Sequence, residues 1–237
     1  MTSLRASLEF LETHGRHPGR HEVVDAVLTR AGERIPVVVK KVPLDLRQRM
    51  TVPKALRSLA TAKVLLARGL ATPEPLAAEV VGNESWYVAR RLDEAAQIRA
   101  WFTFRDDPRR PEPPLTFSFD QVVEALGGLA RRMHEAGVFF RDFTDGNVLV
   151  TGEAGALRLW LVDLDRARVS GTPVPWLSRY RDLARPGLNR PEDMNLFLSS
   201  YFRPEPVPAP AVRTVHWLRR RIVLWDGFKA LARPWRR

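Results

Sequence analysis

The sequence contains no cysteine, which excludes disulfide bonds and thiolate metal sites. It also has no apolar run long enough to cross a bilayer as a helix. The opening residues, MTSLRASLEFLETHG, lack the continuous apolar block of a secretory signal peptide. Together these absences predict a cytoplasmic protein.

Lysine is scarce, with five residues among 38 basic ones, so arginine carries most of the net charge of +11. Residues 203–237 hold nine basic and two acidic residues, which gives this tail +7 of that charge. So uneven a distribution predicts an anionic partner, such as a glycolipid, a membrane surface or nucleic acid. The alternative explanation is a GC-rich genome, whose codons favour arginine.

The chain has 237 residues, of which 45% are hydrophobic, and this is enough for one large domain or two lobes. Residues 1–92 show the pattern β-β-α-β-β, and residues 93–237 are mostly helical. The prediction is therefore an α+β, bilobal fold. It has a small β-rich N-lobe with one helix (1–92) and a larger, mainly helical C-lobe (93–237).

Several segments carry this prediction. Two hairpins are expected, one from HEVVDAVLTR and IPVVVKKV and one from PLAAEVV and SWYVARRL, and THGRHPGR is expected to be a loop. A helix is predicted over residues 54–68, where Gly69 ends it. A short helix is expected in LDEAAQIRAWF, and another runs through VVEALGGLARRMHEAG, capped by Ser118 or Asp120.

Three oxygen-bearing side chains follow each other at strand ends in the second half. Asp142 and Asn147 lie in FFRDFTDGNVLV, after a helix and before a strand, and Asp163 ends the strand LRLWLVDLD. An Asp and an Asn in a loop are often simple turn residues. Phosphoryl transfer, however, uses this set, with one carboxylate accepting the hydroxyl proton and another carboxylate and an amide holding Mg²⁺.

The stretch VVVK, on the second strand of the first predicted hairpin, resembles the kinase V-A-I-K element, whose lysine pairs with the nucleotide phosphates. Lys40 shares a strand face with Val38, whereas Lys41 shares the other face with Val39. We choose Lys40 and retain Lys41 as the alternative.

Taken together, RDFTDGNVLV, LVDLDRAR, LLARGLATPEPLA and WLSRYRDLAR resemble the lipopolysaccharide-core kinases, the group with Kdo and heptose kinases in the protein-kinase-like superfamily. The resemblance runs from about residue 20 to about residue 200. It implies ATP and Mg²⁺ as cofactors. It also assigns a role to individual residues: Asp142 as catalytic base, Asn147 and Asp163 as metal ligands, Lys40 on the phosphates, Asp182 bracing the catalytic loop, and Ala89, Arg90, Arg91 and Leu92 as the adenine-binding hinge.

The sequence departs from the kinase pattern in several places. Phe140 replaces the usual histidine of the catalytic loop, the metal motif is D-L-D, and the glycine-rich loop has no clear match. The helix KALRSLATAKVLLAR has no glutamate to pair with the lysine, and Ser58 stands near that position. A kinase-fold binding module (pseudokinase) is therefore one alternative, and a small-molecule phosphotransferase is another. The lack of an A-P-E-like segment after Asp163 favours a sugar acceptor over a peptide.

The basic tail HWLRRRIVLWDGFKALARPWRR places Val215, Leu218, Ile222 and Trp225 on one helical stripe, interleaved with arginines. Trp217, Trp225 and Trp235 add aromatic rings, which suits a membrane interface. The other interpretation is an ordinary last helix with a solvated arginine face; nucleic acid is disfavoured. We therefore predict an ATP-dependent kinase that phosphorylates a sugar hydroxyl of a lipopolysaccharide core or related glycolipid, peripheral to the inner membrane.

Overall fold

The computed structural model describes residues 4–17, 21–44, 50–153 and 156–232. The chain forms two compact units, Met1–Asp93 with Leu161–Asp165, and Glu94–Trp160 with Arg166–Arg237. This division differs from the predicted domain boundaries chiefly in the short segment Leu161–Asp165, which packs with the first unit.

The first unit contains a five-stranded antiparallel sheet in the order β1-β2-β3-β5-β4. In chain order the strands are β1 (Leu8–His17), β2 (His21–Arg30), β3 (Glu33–Pro43), β4 (Pro75–Val81) and β5 (Glu84–Arg90). Helix α1 (Lys54–Ala67) connects β3 to β4, as the sequence predicted. Both predicted hairpins, β2–β3 and β4–β5, are confirmed.

The β2–β3 hairpin fixes the position of Lys40. Its two-residue turn, Ala31 and Gly32, has φ angles of 52° and 84°, which is the conformation that tight hairpins favour. Along β3, Val37 and Val39 are fully buried in the core of the sheet. Because side chains alternate along a strand, Lys40 lies on the face opposite these two valines.

The prediction of a loop over THGRHPGR is wrong for its first part. Residues 13–17 belong to β1, which pairs antiparallel with β2, and irregular register at Phe10, Thr13 and Gly15 marks bulges in the strand. Pairing with the neighbouring hairpin therefore overrides the weak strand propensity of this glycine-containing segment. Residues 18–20, with Gly19, lie outside the described residues.

The second unit combines helices with two small sheets. Its helices are α2 (Arg99–Asp106), α3 (Phe119–Glu135), α4 (Trp176–Leu183), α5 (Pro191–Phe202) and α6 (Ala209–Ala232). Strands β6 (Ala96–Gln97), β8 (Val148–Glu153) and β9 (Ala156–Leu161) form one sheet, and β7 (Val138–Phe140) pairs with β10 (Ala167–Val169). The helix expected in LDEAAQIRAWF begins only at Arg99, because the preceding residues form a turn and β6.

Helix α3 forms the centre of the second unit. Ser118 caps it through a capping box, in which the Ser118 hydroxyl accepts from Gln121 N and Gln121 accepts from Ser118 N. Its apolar residues at helical spacing are buried, as predicted: Val122, Leu126, Leu129 and Met133. A Cβ at Gly127 would lie 2.7 Å from the carbonyl oxygen of Phe197, so this glycine allows α3 to approach α5 closely.

Helix α6 has a buried and an exposed side. Val215 is buried and Ile222 partly buried, which agrees with the predicted apolar stripe, but Trp225 is 59% exposed and does not belong to that contact. Trp217 is also exposed, and Trp235 lies outside the described residues. Within the described part of the chain, no helix is long and apolar enough to span a membrane.

Candidate active site

Lys40 lies in a cluster of charged groups in the first unit. Its Nζ donates one hydrogen bond of 2.5 Å to Asp163 Oδ1 and another of 3.0 Å to Asp165 Oδ2. The side chains of Lys40 and Asp165 are 14% and 16% exposed, so both charges are largely shielded from water. Pairing offsets the cost of that desolvation.

The pairing also fixes the ionisation of both groups. Burial by itself would lower the pKa of Lys40, but Asp163 and Asp165 outweigh it and raise this pKa above its usual 10.5. Burial would likewise raise the pKa of Asp165, but Lys40 and the Ser58 hydroxyl hold it below the usual 3.8. Lys40 therefore stays cationic at neutral pH, which is the property that a phosphate-binding lysine requires.

Lys41, the alternative lysine, faces the other side of the sheet. Its Nζ lies 3.2 Å from Glu22 Oε2 and 4.3 Å from the centre of the Phe10 ring. It also lies 5.3 Å from the centre of the Trp86 indole. Lys41 thus takes part in a cation–π and ion-pair contact of the sheet, and of the two lysines it is Lys40 that contacts the D-L-D segment.

Asp163 lies two residues after the end of β9 and has an unusual backbone conformation. Its φ is +56°, in the left-handed region that residues other than glycine rarely adopt. Strain of this kind persists where the surrounding structure over-determines it and is common at functional sites. Next to it, Leu164 is buried, so it fills the position of the apolar residue in the predicted metal motif.

The loop between β7 and β8 of the second unit, which the sequence predicts to be catalytic and which we call the catalytic loop, is held by hydrogen bonds to the Asp142 carbonyl oxygen. That oxygen accepts from Asn147 Nδ2 at 2.8 Å and from Thr144 N at 2.7 Å. The Asp142 carboxylate accepts from Arg166 Nη1 at 3.2 Å and is 29% exposed, so solvent still reaches it. Because the amide nitrogen of Asn147 is used within the loop, its oxygen is the atom suited to a cation.

Asp182, predicted to brace the catalytic loop, does so directly. From helix α4, its buried Oδ2 accepts the backbone N–H of Phe140 at 2.7 Å and lies 3.3 Å from His134 Nε2. His134 Nδ1 lies 2.9 Å from the Tyr201 hydroxyl. Helix α3 thus supplies a histidine to the brace, whereas Phe140 stands where the kinase loop usually has one.

Burial shapes the protonation of this network. It lowers the pKa of His134 below the usual 6.5, despite the nearby Asp182. Neutral imidazole then has one donor and one acceptor nitrogen, which match the Asp182 carboxylate and the Tyr201 hydroxyl. Burial also raises the pKa of Tyr201 to about 12, so that the hydroxyl stays protonated.

The expected adenine hinge lies at the end of β5. Ala89 and Arg90 belong to the strand, and the side chains of Arg90 and Arg91 form ion pairs with Glu74 and Asp25. The backbone N–H of Arg90 bonds to Glu74 O, and that of Arg91 bonds to Pro36 O. These two N–H groups are therefore used within the sheet, and the assignment of Ala89–Leu92 to adenine stays a prediction.

A cavity of about 300 Å³ opens beside the catalytic loop, within the second unit. Thr144 and Asp145, from the loop itself, form part of its wall. The other lining residues come from α2, the segment after α4, and α6: Phe102, Thr103, Asp106, Arg185, Gly187, Asn189, Arg219 and Ile222. Hydroxyl, amide, carboxylate and guanidinium groups beside an aromatic ring are the usual means of binding a polar small molecule or sugar.

The donor atoms of the predicted site suit magnesium. Asp163 and Asn147 offer carboxylate and amide oxygens, and Mg²⁺ on nucleotide phosphates is bound through one or two carboxylates besides phosphate and water. Among the described residues, no group of three or more His, Cys, Asp and Glu side chains forms a metal cluster. The role of Asp163 and Asn147 as metal ligands stays a prediction.

Sequence reasoning did not find Asp165 or the cavity. Asp165 stands two residues after Asp163, and its contact with Lys40 spans 125 positions of the chain. The repeated acid in D-L-D was the available signal, but a motif alone does not say which carboxylate contacts the lysine. The cavity draws on four distant segments, so no local pattern in the sequence predicts it.

Two comparisons with known proteins found a similarity to this chain. Residues 14–190, well over half of the chain, match the Lipopolysaccharide kinase (Kdo/WaaP) family. A solved structure described as "WaaP in complex with acyl carrier protein" is similar with a TM-score of 0.58 and 26% sequence identity, over 89% of this chain and 86% of that chain. No curated protein matches the chain. The similarity confirms the predicted α+β, protein-kinase-like fold.

Proposed function

Because the chain belongs to the Lipopolysaccharide kinase (Kdo/WaaP) family, we propose that it transfers the γ-phosphate of ATP to a sugar hydroxyl of a lipopolysaccharide core or related glycolipid. The observation that carries this proposal is the shielded cation of Lys40, held by Asp163 and Asp165 next to a strained backbone. A fixed positive charge beside a potential metal ligand is the arrangement that binds a magnesium–nucleotide complex.

Each site residue has one role in this mechanism. Lys40 neutralises phosphate oxygens, and Asp163 and Asn147 would hold Mg²⁺, which when bound offsets the charge of the phosphates. Asp142 orients the attacking sugar hydroxyl and accepts its proton. Arg166, 3.2 Å from the Asp142 carboxylate, keeps that group oriented before the acceptor binds.

We assign the acceptor to the cavity beside the catalytic loop. Thr144 and Asp145 line the cavity and follow Asp142 by two and three residues, so the base is within about 11 Å of backbone from this wall. The lining also includes Arg185 and Arg219, whose cations suit the anionic groups of a core glycolipid. The carboxylate and amide groups of the same wall can form hydrogen bonds with sugar hydroxyls.

The exposed side of α6 supports a second part of the proposal, contact with a membrane surface. Trp217, Leu224 and Phe228 are 55%, 73% and 63% exposed, and spacings of seven and four residues align them on one stripe. Arg220 and Arg221 are exposed beside this stripe. An apolar stripe flanked by arginines is the pattern of a helix that lies in the interface of an anionic membrane. A cytoplasmic protein on the inner membrane is consistent with this pattern.

The main evidence for a kinase-fold binding module was the missing glutamate in α1. Asp165 supplies a carboxylate at 3.0 Å from Lys40, which weakens that alternative. A small-molecule kinase for cationic acceptors is disfavoured by the net charge of +11.

The proposal is tested by incubating the protein with Mg·[γ-³²P]ATP and three acceptor classes: lipopolysaccharide, aminoglycosides and proteins. We expect label in lipopolysaccharide alone; label confined to either of the other classes would contradict the proposal.

With lipopolysaccharide as acceptor, Asp106→Asn in the cavity should raise the acceptor KM about tenfold, since a hydrogen bond to a charged group contributes about 1.5 kcal/mol or more. The KM for ATP should not change, and Asp107→Asn, a neighbouring carboxylate outside the cavity lining, should change neither KM.

A further inference from the structure

Helix α1 contains no acidic residue. In protein kinases the strand lysine is paired with a glutamate of the helix that follows the strand. The corresponding helix here presents a buried serine, Ser58, instead. A carboxylate that orients Lys40 must therefore come from outside the helix.

Asp165 connects the lysine to the helix. Its Oδ2 accepts from Lys40 Nζ at 3.0 Å, and its Oδ1 accepts from Ser58 Oγ at 2.8 Å. Both oxygens of the carboxylate are thus engaged, one by strand β3 and one by helix α1. We name this arrangement the Ser58–Asp165–Lys40 bridge; it lies entirely within the first unit.

The two carboxylates that contact Lys40 differ in their surroundings. The Asp163 side chain is 36% exposed, whereas that of Asp165 is 16% exposed. Ser58 contacts Asp165 and fixes it from a second direction. Asp163 is thus the carboxylate with room for a metal ion, and Asp165 is the one built to hold the lysine.

We propose that Asp165 and Ser58 are positioning residues that together replace the missing helix glutamate of this kinase. The inference rests on the proposed function, in which Asp163 would hold the metal ion and would then no longer pair with Lys40. Lys40 then keeps one carboxylate, because Asp165 remains attached to it. Ser58 links that contact to α1, so the helix, the strand and the D-L-D segment keep a common geometry around the phosphates.

The test measures kcat for phosphate transfer and the Kd of Mg·ATP in matched variants. Asp165→Asn should lower kcat by about tenfold to a hundredfold, since hydrogen bonds to charged groups are worth roughly 1.5–3 kcal/mol. Ser58→Ala should lower it by about three- to tenfold, because the carboxylate remains but loses one anchor. Ser85→Ala, a buried serine of the same unit that bonds to Val42 O, should leave kcat unchanged.

Moving the carboxylate to a different position distinguishes a positioning role from a general effect on stability. The double variant Ser58→Glu/Asp165→Ser returns the acid to the helix, and it should have at least tenfold higher kcat than Asp165→Ser alone. Equal activity of these two variants would overturn the proposal. If the Asp165 variants do not fold, the test is the comparison of kcat between Ser58→Ala and Ser85→Ala. A lower kcat in Ser58→Ala alone supports the bridge, and equal kcat in the two variants overturns it.

Magnesium titration distinguishes positioning from metal binding. Raising Mg²⁺ tenfold should not restore Asp165→Asn; restoration would make Asp165 a metal ligand and overturn the proposal. If the wild type transfers no phosphate to any acceptor, the proposed function fails and the bridge is judged from Mg·ATP affinity. Weaker Mg·ATP binding by Ser58→Ala than by Ser85→Ala then supports the bridge. Equal Mg·ATP binding by the two variants, or no Mg·ATP binding by the wild type, overturns the bridge.

Discussion

At the scale of single residues, two groups of contacts keep ionisable side chains in defined states. Lys40 stays cationic because two carboxylates outweigh its burial. His134 stays neutral because burial outweighs the nearby Asp182. The first condition suits phosphate binding, and the second lets one imidazole join Asp182 to Tyr201 beneath the catalytic loop.

The neutral state of His134 predicts a pH dependence of stability. Its pKa is below 6.5 in the folded protein, so between that lower pKa and about pH 6.5 the unfolded chain binds more protons at this histidine than the folded protein does. The contribution of His134 to the unfolding free energy is therefore complete above this pH and decreases on acidification. The advantage of the wild type over His134→Gln, measured by urea unfolding, should be largest near pH 7.5 and smaller at pH 5.5.

His216→Gln is the matched control, because His216 is only partly buried and bonds to Asn195. The difference between wild type and His134→Gln should depend on pH more strongly than the difference between wild type and His216→Gln. An advantage for the wild type over His134→Gln that grows on acidification would contradict a neutral His134.

At the scale of elements, local sequence signals predicted the helices and strands that are stabilised mainly by residues within their own segment. Helix α3 was predicted because Ser118, Gln121 and the apolar spacing lie within one segment. Strand β1 was missed because its pairing partner, β2, supplies the stabilising hydrogen bonds, while Gly15 weakens the local signal. In α6, the amphipathic pattern identified a helix, but only packing reveals that Trp225 is exposed and Val215 buried.

Helix α6 should mediate binding to anionic vesicles through its exposed stripe. In a flotation assay, wild type should rise with vesicles of phosphatidylglycerol and phosphatidylcholine but not with phosphatidylcholine alone. The double variant Trp217→Ser/Leu224→Ser should reduce binding about tenfold or more, since a buried large apolar side chain contributes roughly 1.5–3 kcal/mol. Val223→Ser, which changes an exposed residue on another side of the helix, is the control and should bind like the wild type. Equal flotation of wild type and double variant would exclude this stripe as the contact.

At the scale of the whole molecule, the residues assigned to phosphate transfer come from both units. Asp142 and Asn147 belong to the second, and Lys40, Asp163 and Asp165 to the first. The sequence predicted four of these five residues because each lies in a short motif. It did not predict Asp165 as the partner of Lys40, because that contact depends on how β3, α1 and the D-L-D segment fold together.

The most direct test of the central claim is the rate of γ-phosphate transfer from Mg·ATP to lipopolysaccharide by Asp142→Asn. General-base assistance is worth about 10²- to 10⁴-fold, so the variant should lose at least about a hundredfold in kcat while its affinity for Mg·ATP stays the same. Asp120→Asn, an exposed carboxylate at the start of α3, should retain the wild-type rate. Wild-type turnover by Asp142→Asn would contradict the claim that this loop carries the chemistry.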